Sequence, residues 1–345
     1  MKRVITASVA EEMIRKGQGL EAVPATSVLT PSARDVFGAA RTPGGAKAGI
    51  SKADDELFGE PIIPDYEYSW APGSDPKTRE EIRAFYHSPE ITRVREQMAH
   101  IGERMWQREY TDGNGGNLTV RVGDNLVLCT PTLICKGFMK ADDMALIDLE
   151  GNQIAGRMKR TSEALTHLGI MRKQPKAKAC CHAHPPHATA YAVAKVRPPT
   201  CLIPEAEVFL GEIGLAEYRK PGSDDNAEEV GRVAVDHMAV LMINHGVITW
   251  GKDIEDAYWK MENTESYCKT VWVASQLGKE LTPISGHQAK ELIEIRKSLG
   301  MEDKREGLKE CELCDNSDFR PGFYGDVQRL CGIQGSSNED TEELV

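Results

Sequence analysis

A chain of 345 residues that is 40% hydrophobic and 28% charged can bury a large core, as one domain with extensions or as two domains. With 53 acidic against 42 basic residues the net charge is −11, which leaves no basic footprint for nucleic acid or an anionic membrane surface, so any phosphate partner is expected to be small and held locally. No apolar run reaches the roughly 18 residues of a membrane span. The start, MKRVITASVAEEMIRKGQG, is too broken for a secretory signal, and the nine scattered cysteines read as reduced thiols; together these features predict a cytoplasmic protein.

From Thr6 to Arg15, with Ile5, Val9, Met13 and Ile14 at helical spacing, a short amphipathic helix is expected, ended by Gly17 and Gly19. A second begins at LTPSARDVF, where Thr30 can cap and Pro31 suits the first helical position. Residues 38–88, rich in Gly, Pro and charge, read as a linker. The main domain, 89–280, opens with a helix over Pro89–Arg108, in which Ile91, Val94, Met98, Ile101 and Met105 recur every three or four positions. LTVRV (118–122) and NLVLCTP (125–131) flank a turn at Gly123–Asp124 and predict a hairpin; MALIDLEGNQIAG adds a second strand pair. SEALTHLGIMRK (162–173) is helical, AKACCHAH (177–184) a buried strand, and PHATAYAVAK a helix. AVLMINHGVITWG then reads as strand, turn and strand before a long helix, Ile254–Leu277. Residues 281–345 hold a charged helix (AKELIEIRKSLG) and a polar tail. Strands mixed with flanking helices define an α/β or α+β layered domain.

The sharpest chemical signal is Cys181-His182-Ala183-His184-Pro185-Pro186-His187 at a strand end. Residues two apart on a strand share a face, so His182 and His184 can aim both rings at one point, and the prolines stop the strand there. A catalytic zinc site needs a third protein ligand, and His245, in a strand-end Asn244-His245-Gly246 turn, is the best candidate; His187 and His245 could each instead be a hydrogen-bonded turn residue. Glu163, at the start of a helix behind Thr161 and Ser162, is either a capping carboxylate or a general acid/base beside a Lewis-acid metal. The turns Asp112–Thr119, Thr130-Pro131-Thr132 and Thr161-Ser162 offer the amides and hydroxyls that a phosphate group requires.

In order, GGNLTVRV, TPT, TSE, HAHPPH and INHGVITWG with a long helix behind resemble the class II aldolase/adducin family, over roughly residues 89–280. The resemblance implies a three-layer α/β/α domain around a mostly antiparallel sheet, assembled as a homotetramer with active sites between subunits. It implies one Zn2+ per chain on His182, His184 and His245, with Glu163 as acid/base and, at rest, a possible fourth ligand. Gly116, Asn117, Thr132, Thr161 and Ser162 fall where such enzymes hold the substrate phosphate. The implied reaction cleaves a ketose 1-phosphate of the L-fuculose or L-rhamnulose type to dihydroxyacetone phosphate and an aldehyde such as lactaldehyde, as in fucose and rhamnose degradation. A pentulose-phosphate 4-epimerase, a sugar-phosphate dehydratase and a non-catalytic adducin-like interaction module are the alternatives.

Three departures from the family pattern stand out. Leu133 occupies the glycine position of TP(S/T)G, and no tyrosine or histidine stands where a partner acid is usual, leaving Glu205, Glu207 and Tyr324 as candidates. Third, residues 1–37 resemble the encapsulation segments that carry enzymes into bacterial microcompartments, where they would contact shell or cargo; helices that pack on their own domain or a neighbouring subunit are the other reading. The tail's Cys311-x-x-Cys314 with Cys331 could bind a metal or switch by oxidation.

Overall fold

The computed structural model describes residues 4–5, 7–24, 27–29, 33, 36–37 and 66–314. The chain divides into two compact units, Met1–Asp65 and Tyr66–Val345. In the first, β1 (Val4–Ile5) and β2 (Val28–Leu29) pair in parallel, and α1 (Ala7–Arg15) follows β1. Ile5, Ala10, Ala33 and Phe37 form a small core against Val9, Met13 and Ile14, so the apolar stripe of α1 closes on residues of its own segment. The second expected helix is seen at Ala33, Val36 and Phe37, while Thr30 and Pro31 lie outside the described residues.

The second unit is built on an eight-stranded sheet. Its strands are β3 (Asn117–Arg121), β4 (Val127–Cys129), β5 (Ala145–Ile147), β6 (Gln153–Ala155), β7 (Ala179–Ala183), β8 (Gly214–Ala216), β9 (Ala239–Met242) and β10 (Gly246–Gly251). They lie in the order β6-β5-β4-β3-β7-β10-β9-β8, and every pairing is antiparallel except β8 with β9.

Alternation along these strands feeds two separate cores. Leu118, Val120, Leu128, Leu146, Cys181, Leu241 and Val247 point one way, packing with α3 (Pro89–Gln107), α5 (Pro186–Ala194) and α8 (Ile254–Ser275). Val127, Cys129, Ile147, Cys180, Val240 and Ile248 point the other way, packing with α4 (Ala164–Lys173) and α7 (Asp224–Ala234). The result is the expected three-layer α/β/α arrangement. The two helices of the second layer approach through glycines: a Cβ placed on Gly169 would lie 2.3 Å from the Ala227 carbonyl oxygen.

The structure corrects the linker. Residues 66–88 belong to the second unit, where Asp75 accepts the backbone N–H groups of Asp124 (2.9 Å) and Asn125 (2.7 Å) at the β3–β4 turn. α2 (Arg79–Tyr86) starts at a Thr78/Glu81 capping box, and Tyr86 donates its hydroxyl to the Met144 carbonyl at 2.6 Å. The Gly/Pro composition that reads as linker stops short of this capping signal. In the second unit β8, α7 and the short α6 (Pro204–Phe209) likewise have no counterpart in the sequence reading, nor in the first do β1 and β2.

The expectation of nine reduced thiols is also corrected, because Cys201 and Cys314 form a disulfide with a Cα–Cα separation of 5.8 Å. That bond removes Cys314 from the proposed Cys311-x-x-Cys314 metal pair; Cys331 lies outside the described residues. The bond lies beside α9 (Gly286–Ser298): the Cys201 carbonyl accepts the Ile284 N–H at 2.7 Å just before that helix, and Cys201 and Leu313 pack against Ala289 and Ile293 on it. No helix among the described residues is long and apolar enough to cross a membrane.

Candidate metal and acid–base centre

β7 ends at Ala183, and β10 and β3 flank it on either side, so His182 is held in register on both edges, opposite Ile248 and Asn117. Its Nδ1 lies 2.8 Å from the Val247 carbonyl oxygen, which can only accept, so Nδ1 carries the proton and Nε2 presents a lone pair. His184 is fixed in the same sense by Asp112, whose Oδ1 is 2.8 Å from its Nδ1. The two Nε2 atoms then face each other at 3.2 Å. His245 completes the cluster, its ring centroid 4.7 Å from that of His182 and 5.3 Å from that of His184.

The ligand atoms of these three histidines all lie within 4.8 Å of one another. Donors about 2.0–2.1 Å from a tetrahedral zinc ion sit about 3.3–3.4 Å apart, close to the His182–His184 separation. With both rings neutral, the two Nε2 lone pairs are aimed at one point, an arrangement that a shared cation would satisfy.

Backbone conformation lets the rings converge. Asn244 takes a left-handed φ of 55°, turning the chain from β9 into β10 and setting His245 at the strand end. Gly246 follows because a Cβ there would lie 2.6 Å from His184 Cδ2 and 2.7 Å from the Ala183 carbonyl oxygen.

Glu163 immediately precedes α4 but does not cap it. Its carboxylate turns into the cluster: Oε2 accepts from Asn117 Nδ2 at 2.8 Å and lies 3.3 Å from His182 Nε2, while Oε1 lies 3.3 Å from His245 Nε2. The capping reading is therefore set aside. Burial alone would raise the proton affinity of Glu163, but His182, then His245 and the Asn117 amide, outweigh it and hold the group well below the usual carboxylate range. Burial and the charge of His182 pull His245 down to about 4; burial also opposes protonation of His182, but Glu163 wins and its affinity is raised.

The residues expected around a phosphate come together at one end of the sheet. Thr161 donates its N–H to the Thr130 carbonyl at 3.0 Å, Thr132 donates to Lys159 at 3.0 Å, and the Thr161 hydroxyl accepts the Glu163 N–H at 3.3 Å. Ser162 is exposed beside them. Gly116, at φ 73°, passes so close to β7 that a Cβ would sit 2.9 Å from the His182 carbonyl oxygen. Leu133 adopts φ 60° and is 79% exposed. The left-handed backbone that a glycine supports is thus kept, at a strain of about 1–2 kcal/mol.

The partner-acid candidates fare differently. Glu207 is 1% exposed and engaged, pairing with Arg305 at 2.7 Å and accepting the Cys201 N–H at 2.6 Å. It is committed to a buried ion pair and is withdrawn as a partner acid. Glu205 is exposed on the first turn of α6 without an ionic or hydrogen-bond partner among the described residues. Tyr324 lies outside the described residues. His187 pairs its Nδ1 with Glu265 at 2.6 Å and is a hydrogen-bonded residue at the start of α5.

Lys136 was not singled out from the sequence. It is 1% exposed, and its ammonium donates to the carbonyls of Asn114 (2.8 Å) and Ile134 (2.6 Å). Burial lowers its proton affinity to about 8, against the opposing pull of Cys135 and Glu163. A lysine in TLICKGF looks like an ordinary loop residue; only its apolar neighbours Ile134, Phe138 and Met139 hint at burial.

A family model, Class II Aldolase and Adducin N-terminal domain, matches residues 96–272, and the chain belongs to that family. The L-fuculose phosphate aldolase of Methanocaldococcus jannaschii is 39% identical over 175 residues, covering 51% of this chain and 93% of that protein. The 3-oxo-tetronate 4-phosphate decarboxylase of Haemophilus influenzae is 33% identical over 202 residues, covering 57% and 95%. Among solved structures, YgbL of Escherichia coli superposes with a TM-score of 0.55 at 26% identity, covering 58% of this chain and 98% of that one. An L-fuculose 1-phosphate aldolase gives 0.55 at 25% identity, covering 59% and 96%.

Proposed function

We propose that the protein is a zinc-dependent lyase that breaks a carbon–carbon bond beside a carbonyl in a phosphorylated sugar, with a ketose 1-phosphate of the L-fuculose type as substrate. The observation that carries this reading is the placement of Glu163 3.3 Å from both His182 and His245, at the point where three imidazoles converge. A three-imidazole set with a nearby carboxylate suits zinc. A bound ion supplies Lewis-acid polarisation of the carbonyl and neighbouring hydroxyl oxygens and takes up the charge that develops as the bond breaks.

The chain's own residues do the rest. His182 and His184 are locked in one tautomer by Val247 and Asp112, so the ligand geometry is set before substrate arrives. Glu163 transfers the proton: as C3–C4 breaks, C3 gains a proton and the C4 hydroxyl loses one, yielding dihydroxyacetone phosphate and an aldehyde. Asn117 orients Glu163 through one amide N–H, and its buried Oδ1 has no partner among the described residues, leaving an acceptor for a substrate hydroxyl. Gly116, Thr132, Thr161 and Ser162 form the phosphate end, and a homotetramer is the assembly expected of this reading.

Decarboxylation of a 3-oxo acid phosphate is the second reading, favoured by the likeness to the H. influenzae enzyme, since loss of CO2 beside a carbonyl makes the same demand on the site. The test is incubation of zinc-loaded protein with L-fuculose 1-phosphate, following dihydroxyacetone phosphate by a coupled reductase, beside 3-oxo-tetronate 4-phosphate with CO2 trapping. Release of the triose supports cleavage; CO2 alone selects the second reading, and neither product rejects both.

A further inference from the structure

Lys136 is a buried charge without an ion pair among the described residues. Removing an ammonium from water is costly, and carbonyl oxygens offset this only in part. Two of its three N–H groups are spent on Asn114 and Ile134, and the third has no acceptor among the described residues. If its task were only to pin two loops, a neutral donor would serve at lower cost, so the charge itself needs a reason.

Its position supplies one. Asn114 lies in the turn Asp112–Asn117, whose first residue holds His184 and whose last holds Glu163. The other acceptor, Ile134, follows directly on Thr132 and Leu133, beside the Thr130–Thr161 contact. The ammonium therefore sits at the junction of the two segments that carry the phosphate-binding candidates. Gly102 on α3 makes room for this arrangement: a Cβ there would lie 2.5 Å from the Lys136 carbonyl oxygen.

We infer that Lys136 is a specificity-determining residue, its free N–H and positive charge selecting substrates that carry a phosphate over the Asp112–Asn117 turn. The inference rests on the phosphorylated-substrate reading above and adds to it a cation that the glycines and hydroxyls of the cradle do not provide. A phosphate dianion arriving there gives the ammonium the ion pair it lacks. The excess of acidic residues in the chain makes such a local cation the more decisive for an anionic substrate.

The test compares two ligands of the zinc-loaded protein by calorimetry, phosphoglycolohydroxamate and glycolohydroxamate, which share a metal-chelating hydroxamate and differ in the phosphate. Wild type is expected to bind the phosphorylated hydroxamate more tightly, and Lys136→Met to lose about 10- to 100-fold of that affinity while binding of glycolohydroxamate stays unchanged. Unchanged glycolohydroxamate binding also shows that the variant has kept its fold; should the methionine variant not fold, Lys136→Gln, which retains a donor without the charge, is expected to lose the same discrimination. Equal discrimination in wild type and variant, or a matching loss for glycolohydroxamate, overturns the role of Lys136. A wild type that binds both ligands equally instead removes the phosphate reading beneath it.

Discussion

Asp112 holds His184 from outside the cluster, its Oδ1 2.8 Å from Nδ1 while Nε2 of the same ring faces His182. The contact depends on Gly115, where a Cβ would fall 2.2 Å from the same Asp112 oxygen. A carboxylate in this position fixes the tautomer and raises ligand basicity. Asp112→Ala is therefore expected to weaken zinc binding by about 10- to 100-fold, and His182→Ala to abolish it. Competition against a chromophoric chelator measures both, and an Asp112→Ala affinity equal to wild type would show that Asp112 does not tune His184 as a ligand.

Gly246 supports a different expectation. Because a methyl group there would meet His184 Cδ2 at 2.6 Å and the Ala183 carbonyl oxygen at 2.7 Å, Gly246→Ala must push the β7–β10 end apart. Elemental analysis should find the variant far below one zinc per chain, with far-ultraviolet circular dichroism close to wild type.

For Glu163→Gln, turnover should fall by about 10²- to 10⁴-fold while zinc content is retained, since the three imidazoles remain. A variant with wild-type turnover would show that the proton is carried by another group.

His167 gives the pH dependence. Fully buried in α4, with Nδ1 2.9 Å from the Thr119 hydroxyl, it is pushed down to about 3 by burial and then by His182, against the pull of Glu163. Its folded value lies below the unfolded value of about 6.5, so between the two the unfolded chain binds the extra proton. Stability contributed by the neutral ring is complete above about pH 6.5 and is lost progressively as pH falls toward 3, with a slope approaching about 1.4 kcal/mol per pH unit. Urea unfolding of wild type and His167→Gln at pH 7, 6 and 5 checks this: the variant should lose less stability on acidification.

Gly169 tests the second helical layer. With the Ala227 carbonyl oxygen 2.3 Å from a Cβ placed there, Gly169→Val should destabilise by at least about 1–3 kcal/mol, read as a lower urea midpoint at unchanged m-value.

Much of this centre is legible in the chain because it follows from strand periodicity: His182 and His184 lie two apart at a proline-stopped strand end, and His245 sits in a strand-end turn. The geometry of Glu163 is not legible, because Thr161, Ser162 and Glu163 read equally well as a helix cap; only the sheet partner Asn117 shows where the carboxylate goes. Strand lengths of three residues, as in β8, are too short for alternation to register. The Glu207–Arg305 pair joins residues 98 positions apart, and the Cys201–Cys314 bond spans 113, so neither leaves a local trace.

That bond also has a topological consequence. Between its two cysteines the backbone makes a closed ring that contains α6, β8, α7, β9, β10, α8 and α9. His245 lies on the ring, whereas His182 and His184 precede it. An ion shared by the three would buckle the ring to the open part of the chain, so that a single backbone nick between 202 and 244 leaves two fragments joined both by the disulfide and by the ion, and chelator and reductant must act together to break both links.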